Sequence, residues 1–172
     1  MQSHTDRLAA IVSRFEEAMT RFREKLANAD AASIERAPED GGWSAAQVAW
    51  HVAAVNGSFA KILDGSFPVA KPAAPDFAER DWETIGTGVP EKAQAPSRVQ
   101  PPGPVTRDEA VAKLDESKAR LIEAVRALQA DRAVMTLEAP YVGCLSLYQV
   151  GEWAAVHVIR HNRQVKRLLS GL

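Results

Sequence analysis

The chain has 172 residues, 46% of them hydrophobic and 25% charged, with a formal net charge of −1 and a single cysteine. A chain of this length can bury a core without disulfides, and a net charge near zero provides no overall field to attract nucleic acid or an anionic membrane. The lone cysteine, the charged N-terminus without a signal-peptide pattern and the lack of a membrane-length apolar stretch predict one cytoplasmic domain over residues 1–172, with neither nucleic acid nor a membrane as partner.

The first predicted helix runs from about Thr5 to Ala29, where apolar residues recur at intervals of three and four. The second begins at Ser44 and continues to about Leu63. Its start has the sequence of a capping box, in which the side chains of Ser44 and Gln47 each accept a hydrogen bond from the other residue's backbone N–H. The pattern therefore predicts two long amphipathic helices in the N-terminal part of the chain.

A long connection follows, from about residue 64 to 105, and it holds eight of the ten prolines. Proline at this density excludes a long regular helix. Asp76 and Glu79 predict the cap of one short helix that carries Phe77 and Trp82. These two aromatic side chains indicate that the connection docks on the rest of the molecule instead of forming a flexible linker. A docked loop of this length can form one wall of a pocket.

The third helix is predicted to begin at Thr106 and the fourth at Ser146, each with a capping-box sequence, and the fourth runs almost to the C-terminus. Residues 137–147 between them give only a weak strand signal, because Pro140 and Gly143 interrupt the segment. Four helices with one long connection predict an all-α four-helix bundle. In such a bundle the crossover can return the third helix parallel to the second.

Three of the four histidines lie where these helices are expected to bury apolar side chains. His51 is on the inward face of the second helix. His157 and His161 are four residues apart on the inward face of the fourth, a spacing that places both side chains on one side of the helix. Imidazoles are poor packing groups but good ligands for a divalent metal ion. If the second and fourth helices are neighbours, the three rings meet inside the bundle. His4 is expected to lie in a frayed end and to have no ligand role.

A single buried histidine is more often a hydrogen-bonded core residue than a metal ligand. Three buried histidines have six ring nitrogens, each of which needs a bonding partner, and a metal ion would bind three of them. The helix with His157 and His161 lacks the glutamate of a zinc-protease helix, and the inward glutamates of a di-iron site are not evident. Three neutral ligands would leave an open position for water or a thiol, as catalytic zinc sites do. The spacing thus predicts a catalytic metal site without specifying its reaction.

These features, in their order along the chain, resemble the DinB-like superfamily. The motifs that carry the resemblance are Trp43-Ser44-x-x-Gln47-x-x-x-His51, the long crossover, Pro140-Tyr-x-Gly143 and His157-x-x-x-His161-x-x-Gln164. The resemblance covers nearly the whole chain and implies a bundle of up-down-down-up connectivity. It also implies that His51, His157 and His161 bind zinc or nickel. Characterised members include thiol S-transferases that use bacillithiol, mycothiol or glutathione, and the mycothiol-dependent maleylpyruvate isomerase, and homodimers are common among them.

From this resemblance we expect a cytoplasmic homodimer that acts on a small-molecule substrate as a metal-dependent transferase. A low-molecular-weight thiol would be its second cofactor, activated as a metal-bound thiolate. The alternative enzyme is a metal-dependent hydrolase that uses metal-bound water, although no inward carboxylate is evident to serve as its base. A third alternative is a bundle that binds a metal or a ligand without catalysis.

Three polar residues adjoin the predicted histidine stripe. Gln164 lies three residues after His161 and is expected either to support that ligand from outside the metal site or to be an ordinary polar residue near the helix end. Arg160 and Arg163 are expected to face solvent or an acidic neighbour. If the proline-rich connection folded over them, they could instead bind a substrate carboxylate.

Overall fold

The computed structural model describes residues 2–39 and 41–171 of the chain. Its long helices are α1 (His4–Asn28), α3 (Ala45–Asp64), α4 (Arg107–Ala127) and α6 (Leu147–Ser170). Between them are the short helices α2 (Ala31–Glu35) and α5 (Ala130–Ala133) and the strands β1 (Thr136–Ala139) and β2 (Gly143–Ser146). The long helices begin close to the predicted positions, whereas the two short helices were not predicted. Within the described residues, no helix is both long and apolar enough to cross a membrane.

Side-chain caps fix where the helices begin. At Ser44 the predicted box is complete, since its hydroxyl accepts from the Gln47 N–H at 3.2 Å and the Gln47 Oε1 accepts from the Ser44 N–H at 2.9 Å. At Ser146 only half of the box forms: the hydroxyl accepts from the Gln149 N–H at 3.2 Å. The Gln149 amide donates instead to the carbonyl of Arg80 at 2.9 Å. A tertiary contact has replaced the second half of this cap.

Helices α1 and α6 run parallel. His4 Nδ1 lies 2.6 Å from the Tyr148 hydroxyl, and Arg7 Nη2 donates to Glu152 Oε1 over 3.0 Å. From the first pair to the second the residue numbers rise on both helices, so the helices point the same way. His4 Nε2 also lies 3.1 Å from the carbonyl oxygen of Leu128. The prediction of a frayed end at His4 was therefore wrong, because two distant groups bind its ring.

Helices α3 and α4 also run parallel to each other. The Lys113 ammonium lies 5.6 Å from the centroid of the Trp50 ring, and further along both helices Asn56 Nδ2 lies 3.5 Å from Ser117 Oγ. The long connection between these helices thus carries the chain back to the end of the molecule where α3 begins. This is the return that the sequence predicts.

Helices α3 and α6 are neighbours that run in opposite directions. The His51 ring is 4.9 Å from that of His161, while Phe59, further along α3, packs against His157, which comes earlier on α6. With α1 parallel to α6 and α3 parallel to α4, the order is up-down-down-up. The predicted all-α four-helix bundle is confirmed.

Strands β1 and β2 form an antiparallel hairpin that the sequence indicated only weakly. Its register ends where Ala139 is paired with Gly143. Pro140 follows the first strand, and Tyr141 and Gly143 have positive φ values of 64° and 85°. The residues that argued against one continuous strand thus form the reversal between two short ones.

The connection between α3 and α4, called the crossover here (residues 65–106), lacks the helix predicted at Asp76–Glu79. One turn of 3-10 helix lies instead at Trp82–Thr84 and another at Ser97–Val99. Glu79 does not cap a local helix, because its carboxylate accepts a hydrogen bond from Arg7 Nη1 at 2.7 Å. The ion pair between Arg7 and Glu79, which are far apart in the sequence, therefore outweighs the weak local preference for a helix.

The crossover nevertheless docks on the bundle, as its aromatic residues predict. Ile85 and Val99 are buried in the core. The Trp82 ring lies under the guanidinium of Arg14 on α1, with 4.3 Å between Arg14 Cζ and the ring centroid. Val105 is buried as well, so the crossover contacts α1 near its middle and reaches the core at three points.

Candidate metal centre

Three histidines meet between α3 and α6. A ring nitrogen from each of His51, His157 and His161 lies within 4.8 Å of the corresponding atoms of the other two. His51 is in the second turn of α3, so the Ser44 cap fixes its position along the helix. The other two are one turn apart on α6. Among the described residues, no carboxylate or thiol joins the cluster. The structure thus brings together the three histidines that the sequence singled out.

His51 is held by the backbone of the crossover. Its Nδ1 lies 2.8 Å from the carbonyl oxygen of Val99. A carbonyl oxygen can only accept a hydrogen bond, so Nδ1 carries the proton and the lone pair of the neutral ring is on Nε2. The crossover therefore selects the tautomer of His51.

His161 is held in the same tautomer by a side chain of its own helix. Its Nδ1 donates to Oε1 of Gln164 over 2.7 Å, which leaves the lone pair on Nε2. That Nε2 lies 3.1 Å from Nε2 of His157. Gln164 thus occupies the position from which an outer group usually orients a metal-ligating histidine.

His157 has a different kind of support. Its Nδ1 is buried and makes no hydrogen bond within the described part of the chain. Its ring packs edge to face against Trp153 at a centroid distance of 5.7 Å and against Phe59 at 6.5 Å. Trp43 packs against His51 at 5.1 Å. Aromatic rings, which a hydrogen-bond pattern would not reveal, enclose the cluster and orient His157.

Desolvation inside the bundle keeps all three rings neutral, although His161 is only half-buried. Burial lowers the pKa of His51 below its ordinary value of 6.5, although the bond to Val99 opposes this shift. Burial lowers the pKa of His157 further, and nearby positive charge adds to the effect. For His161, burial and the proximity of His51 lower the pKa to about 3. At neutral pH the cluster therefore presents unprotonated nitrogens, the form that binds a metal ion.

One buried carboxylate lies near the cluster but points elsewhere. Glu152 is on α6, five residues before His157, and this spacing places it on the side of the helix that faces α1. Its Oε1 accepts a hydrogen bond from Arg7 Nη2 at 3.0 Å. Burial raises its pKa, against the opposing effect of Arg7. The sequence analysis found no inward carboxylate, and Glu152 corrects that expectation without adding a base to the histidine cluster.

The two arginines beside the cluster differ in their surroundings. We expected Arg160 to face solvent or an acidic neighbour; it is partly exposed, and its Nη2 donates to the carbonyl oxygens of Pro90 at 2.5 Å and Glu91 at 3.3 Å. Backbone carbonyl oxygens of the crossover, and not a carboxylate, therefore accept the hydrogen bonds of Arg160. Arg163, one turn further on, is exposed.

Comparison with known proteins identifies a family and a related fold. The sequence matches the model of the DinB superfamily over residues 14–165. The structure is similar to YfiT from Bacillus subtilis, described as a probable metal-dependent hydrolase with an unusual four-helix bundle topology. The TM-score is 0.58 with 18% sequence identity, over 97% of this chain and 89% of that chain. At this identity the likeness concerns the fold alone. No curated protein matches the chain.

Proposed function

The chain belongs to the DinB superfamily, and from this membership and the histidine cluster we propose that it is a metal-dependent enzyme. His51, His157 and His161 would hold one divalent ion. The observation that carries the proposal is the geometry of three neutral imidazoles, with ring nitrogens within 4.8 Å of one another. Two of them present Nε2 lone pairs because their Nδ1 atoms are bound elsewhere. Imidazole ligands suit zinc and nickel, which are the ions we propose.

The ligand set also bears on the chemistry. With three neutral ligands, the ion would keep its full charge and an open position, and would lower the pKa of a thiol or water placed there. The residues of the chain orient the ligands from outside through Val99 and Gln164. The rings of Trp43, Phe59 and Trp153 pack against His51 and His157.

The absence of a proton acceptor favours a thiol. Among the described residues no carboxylate joins the cluster, and Glu152 is bound to Arg7. A free thiol has a pKa of about 8.5, whereas that of bulk water is about 15.7. The metal ion therefore has to lower the pKa of a thiol much less than that of water to produce the deprotonated nucleophile at neutral pH. We therefore propose a transferase that couples a low-molecular-weight thiol to a small electrophilic substrate.

The second candidate is a metal-dependent hydrolase. The description of YfiT, a similar fold, favours it. Water in the open position would need a base, which the cluster lacks, so the substrate or solvent would have to accept the proton. A bundle that binds metal without catalysis is the third candidate. The homodimer stays a prediction from the family resemblance, and the cytoplasmic location stays a prediction from the sequence.

Cobalt substitution tests the proposal. Cobalt-loaded protein is titrated with glutathione, mycothiol and bacillithiol while thiolate-to-cobalt absorption is followed. We expect saturable absorption with one of these thiols and its loss in His51→Ala. His4→Ala is the matched control, because His4 contacts Tyr148 and Leu128, far from the cluster. Metal binding without a thiol response, together with hydrolysis of an ester or amide, would replace the transferase with the hydrolase.

A further inference from the structure

A cavity of about 390 Å³ lies between the crossover and α6. Trp82 and Ile85 from the crossover and Trp153 and Val156 from α6 contribute apolar walls. Gly86 has a φ of 85°, and a Cβ atom built on it would lie only 2.2 Å from Cζ3 of Trp153. The crossover thus rests directly on the tryptophan. The volume falls in the range of small-molecule sites, which are mostly apolar with a few polar groups.

The charged groups of the cavity are unequal in number. Arg160 and Arg163 line it together with Glu83, so the formal charge is +1. The acceptors of Arg160 are backbone carbonyls, including that of Pro90, which leave its positive charge unneutralised. Arg163 is exposed and has no ion pair or hydrogen bond with any residue that the structure describes. Its guanidinium is therefore free to bind a ligand at the rim of the cavity.

We propose that this cavity binds a small aromatic carboxylate. The flat apolar body of the ligand packs against the walls formed by Trp82, Ile85 and Val156, beside the largely buried ring of Trp153. The carboxylate is bound at the rim by Arg163, because a guanidinium presents parallel N–H donors that match the two oxygens. Glu83 is exposed and also lines the cavity, so it disfavours a second negative charge on the ligand. The ligand is consequently a monocarboxylate with a bulky apolar end.

The cavity and the histidine cluster share one wall. The Trp153 ring that lines the cavity also packs against His157, at 5.7 Å between centroids. Arg160, which lines the cavity, is close enough to His157 and His161 for its charge to lower their pKa values. The binding of the carboxylate does not depend on a metal ion. Its role as the substrate rests on the proposed function, since that role requires a reaction at the neighbouring cluster.

Binding of 2-naphthoate tests the proposal, with 2-naphthamide as the uncharged analogue. Calorimetry should give a saturable site for naphthoate in both the chelator-treated and the metal-loaded protein. Arg163→Gln should weaken naphthoate about fivefold, the upper effect of an exposed charge pair, and leave naphthamide unchanged. Val156→Trp should abolish the binding of both ligands by filling the cavity. Arg126→Gln is the matched control, because Arg126 lies on α4, which is not among the walls.

Two results would overturn the proposal. One is that the unchanged protein does not bind naphthoate saturably. The other is that Arg163→Gln and Val156→Trp both bind naphthoate as strongly as the unchanged protein does. Metal content measured on the same preparations separates this inference from the proposed function. Protein that holds zinc or nickel but does not bind naphthoate refutes the aromatic carboxylate alone. Protein that binds naphthoate in this cavity but holds neither metal refutes the proposed function alone.

Discussion

Each histidine of the cluster is oriented by a different neighbour. A backbone carbonyl of the crossover, that of Val99, holds His51. A side chain on the same helix, Gln164, holds His161. His157 has no such bond within the described residues and is positioned by aromatic rings. The three supports come from different residues, so each can be tested by its own substitution.

Gln164→Ala should weaken metal binding without abolishing it. Loss of the outer hydrogen bond frees the His161 ring to rotate and change tautomer, and losses of this kind cost about ten- to a hundredfold in metal affinity. Zinc affinity measured against a competing chelator checks this. Gln129→Ala is the matched control, since the side chain of Gln129 donates to the carbonyl of Ala127 at the end of α4. An unchanged affinity in Gln164→Ala would mean that Gln164 is an ordinary polar residue near the helix end.

Metal-free protein should lose stability on acidification. The unfolded chain takes up protons near pH 6.5, whereas the pKa of His161 in the folded protein is lowered to about 3. Folding therefore becomes less favourable as the pH falls below about 6.5. Because His161 is only half-buried, we discount the effect for solvent screening and expect a loss of about 1–2 kcal/mol at pH 5 from this residue.

Urea unfolding of chelator-treated protein at pH 7 and pH 5 measures this loss. His161→Gln removes the titrating ring. Between pH 7 and pH 5 the free energy of unfolding should therefore fall less in this variant than in the unchanged protein, and the difference should be about 1–2 kcal/mol. Equal losses in the two proteins would show that the ring is not kept neutral by folding.

Among the elements, the helices follow local chemistry and the crossover does not. The caps at Ser44 and Ser146 could be predicted because a hydroxyl followed three residues later by a glutamine is a local signal. The hairpin was indicated only weakly because Pro140 and Gly143 disfavour a strand interior, and their role in a turn depends on the pairing around them. The prediction of a helix at Asp76–Glu79 was wrong because Glu79 pairs with Arg7, which lies 72 residues earlier in the sequence.

The same distinction applies to the candidate site. His157 and His161 could be predicted to share a face from their spacing, and the bundle topology placed His51 on a neighbouring helix. The bond from His51 to Val99 could not be predicted, because every residue has a backbone carbonyl and nothing in the sequence singles out this one. The contacts of Arg160 with carbonyl groups escaped the sequence analysis for the same reason.

Gly86→Ala tests how closely the crossover is fitted to the bundle. A Cβ atom there would meet the Trp153 ring at 2.2 Å, and the φ of 85° is one that L side chains rarely adopt. We expect the free energy of unfolding to fall by about 1–3 kcal/mol and the crossover to become more sensitive to limited proteolysis. Gly103→Ala is the control in the same crossover, because a Cβ atom there meets nothing within 4 Å. Equal effects of the two substitutions would contradict the close fit.

The whole molecule depends on close approach of the parallel pair α1 and α6. A Cβ atom on Gly151 of α6 would lie 2.9 Å from Cγ2 of Ile11 on α1. The glycine thus allows the two helices to pack closely where Arg7 and His4 also connect them. The same contacts fix the up-down-down-up order that brings α6 beside α3 and the histidines together.

Gly151→Ala and Gly57→Ala should have opposite effects. The first forces α1 and α6 apart and should lower the free energy of unfolding by about 1–3 kcal/mol. The second lies on α3 with open space around its Cβ position, so it should raise that free energy by up to about 1 kcal/mol through helix propensity. Chemical denaturation measures both. Stabilisation by Gly151→Ala would show that the helices are not closely packed at this point.

Metal stoichiometry tests the central claim most directly. Purified protein is incubated with zinc or nickel, freed of unbound ions, and assayed for bound metal by mass spectrometry. We predict one ion per chain for the unchanged protein and for His4→Ala, and strongly reduced content in folded His51→Ala and His161→Ala. Failure to bind either metal stoichiometrically, or full metal content in the two cluster variants, would contradict the assignment of His51, His157 and His161 as a metal centre.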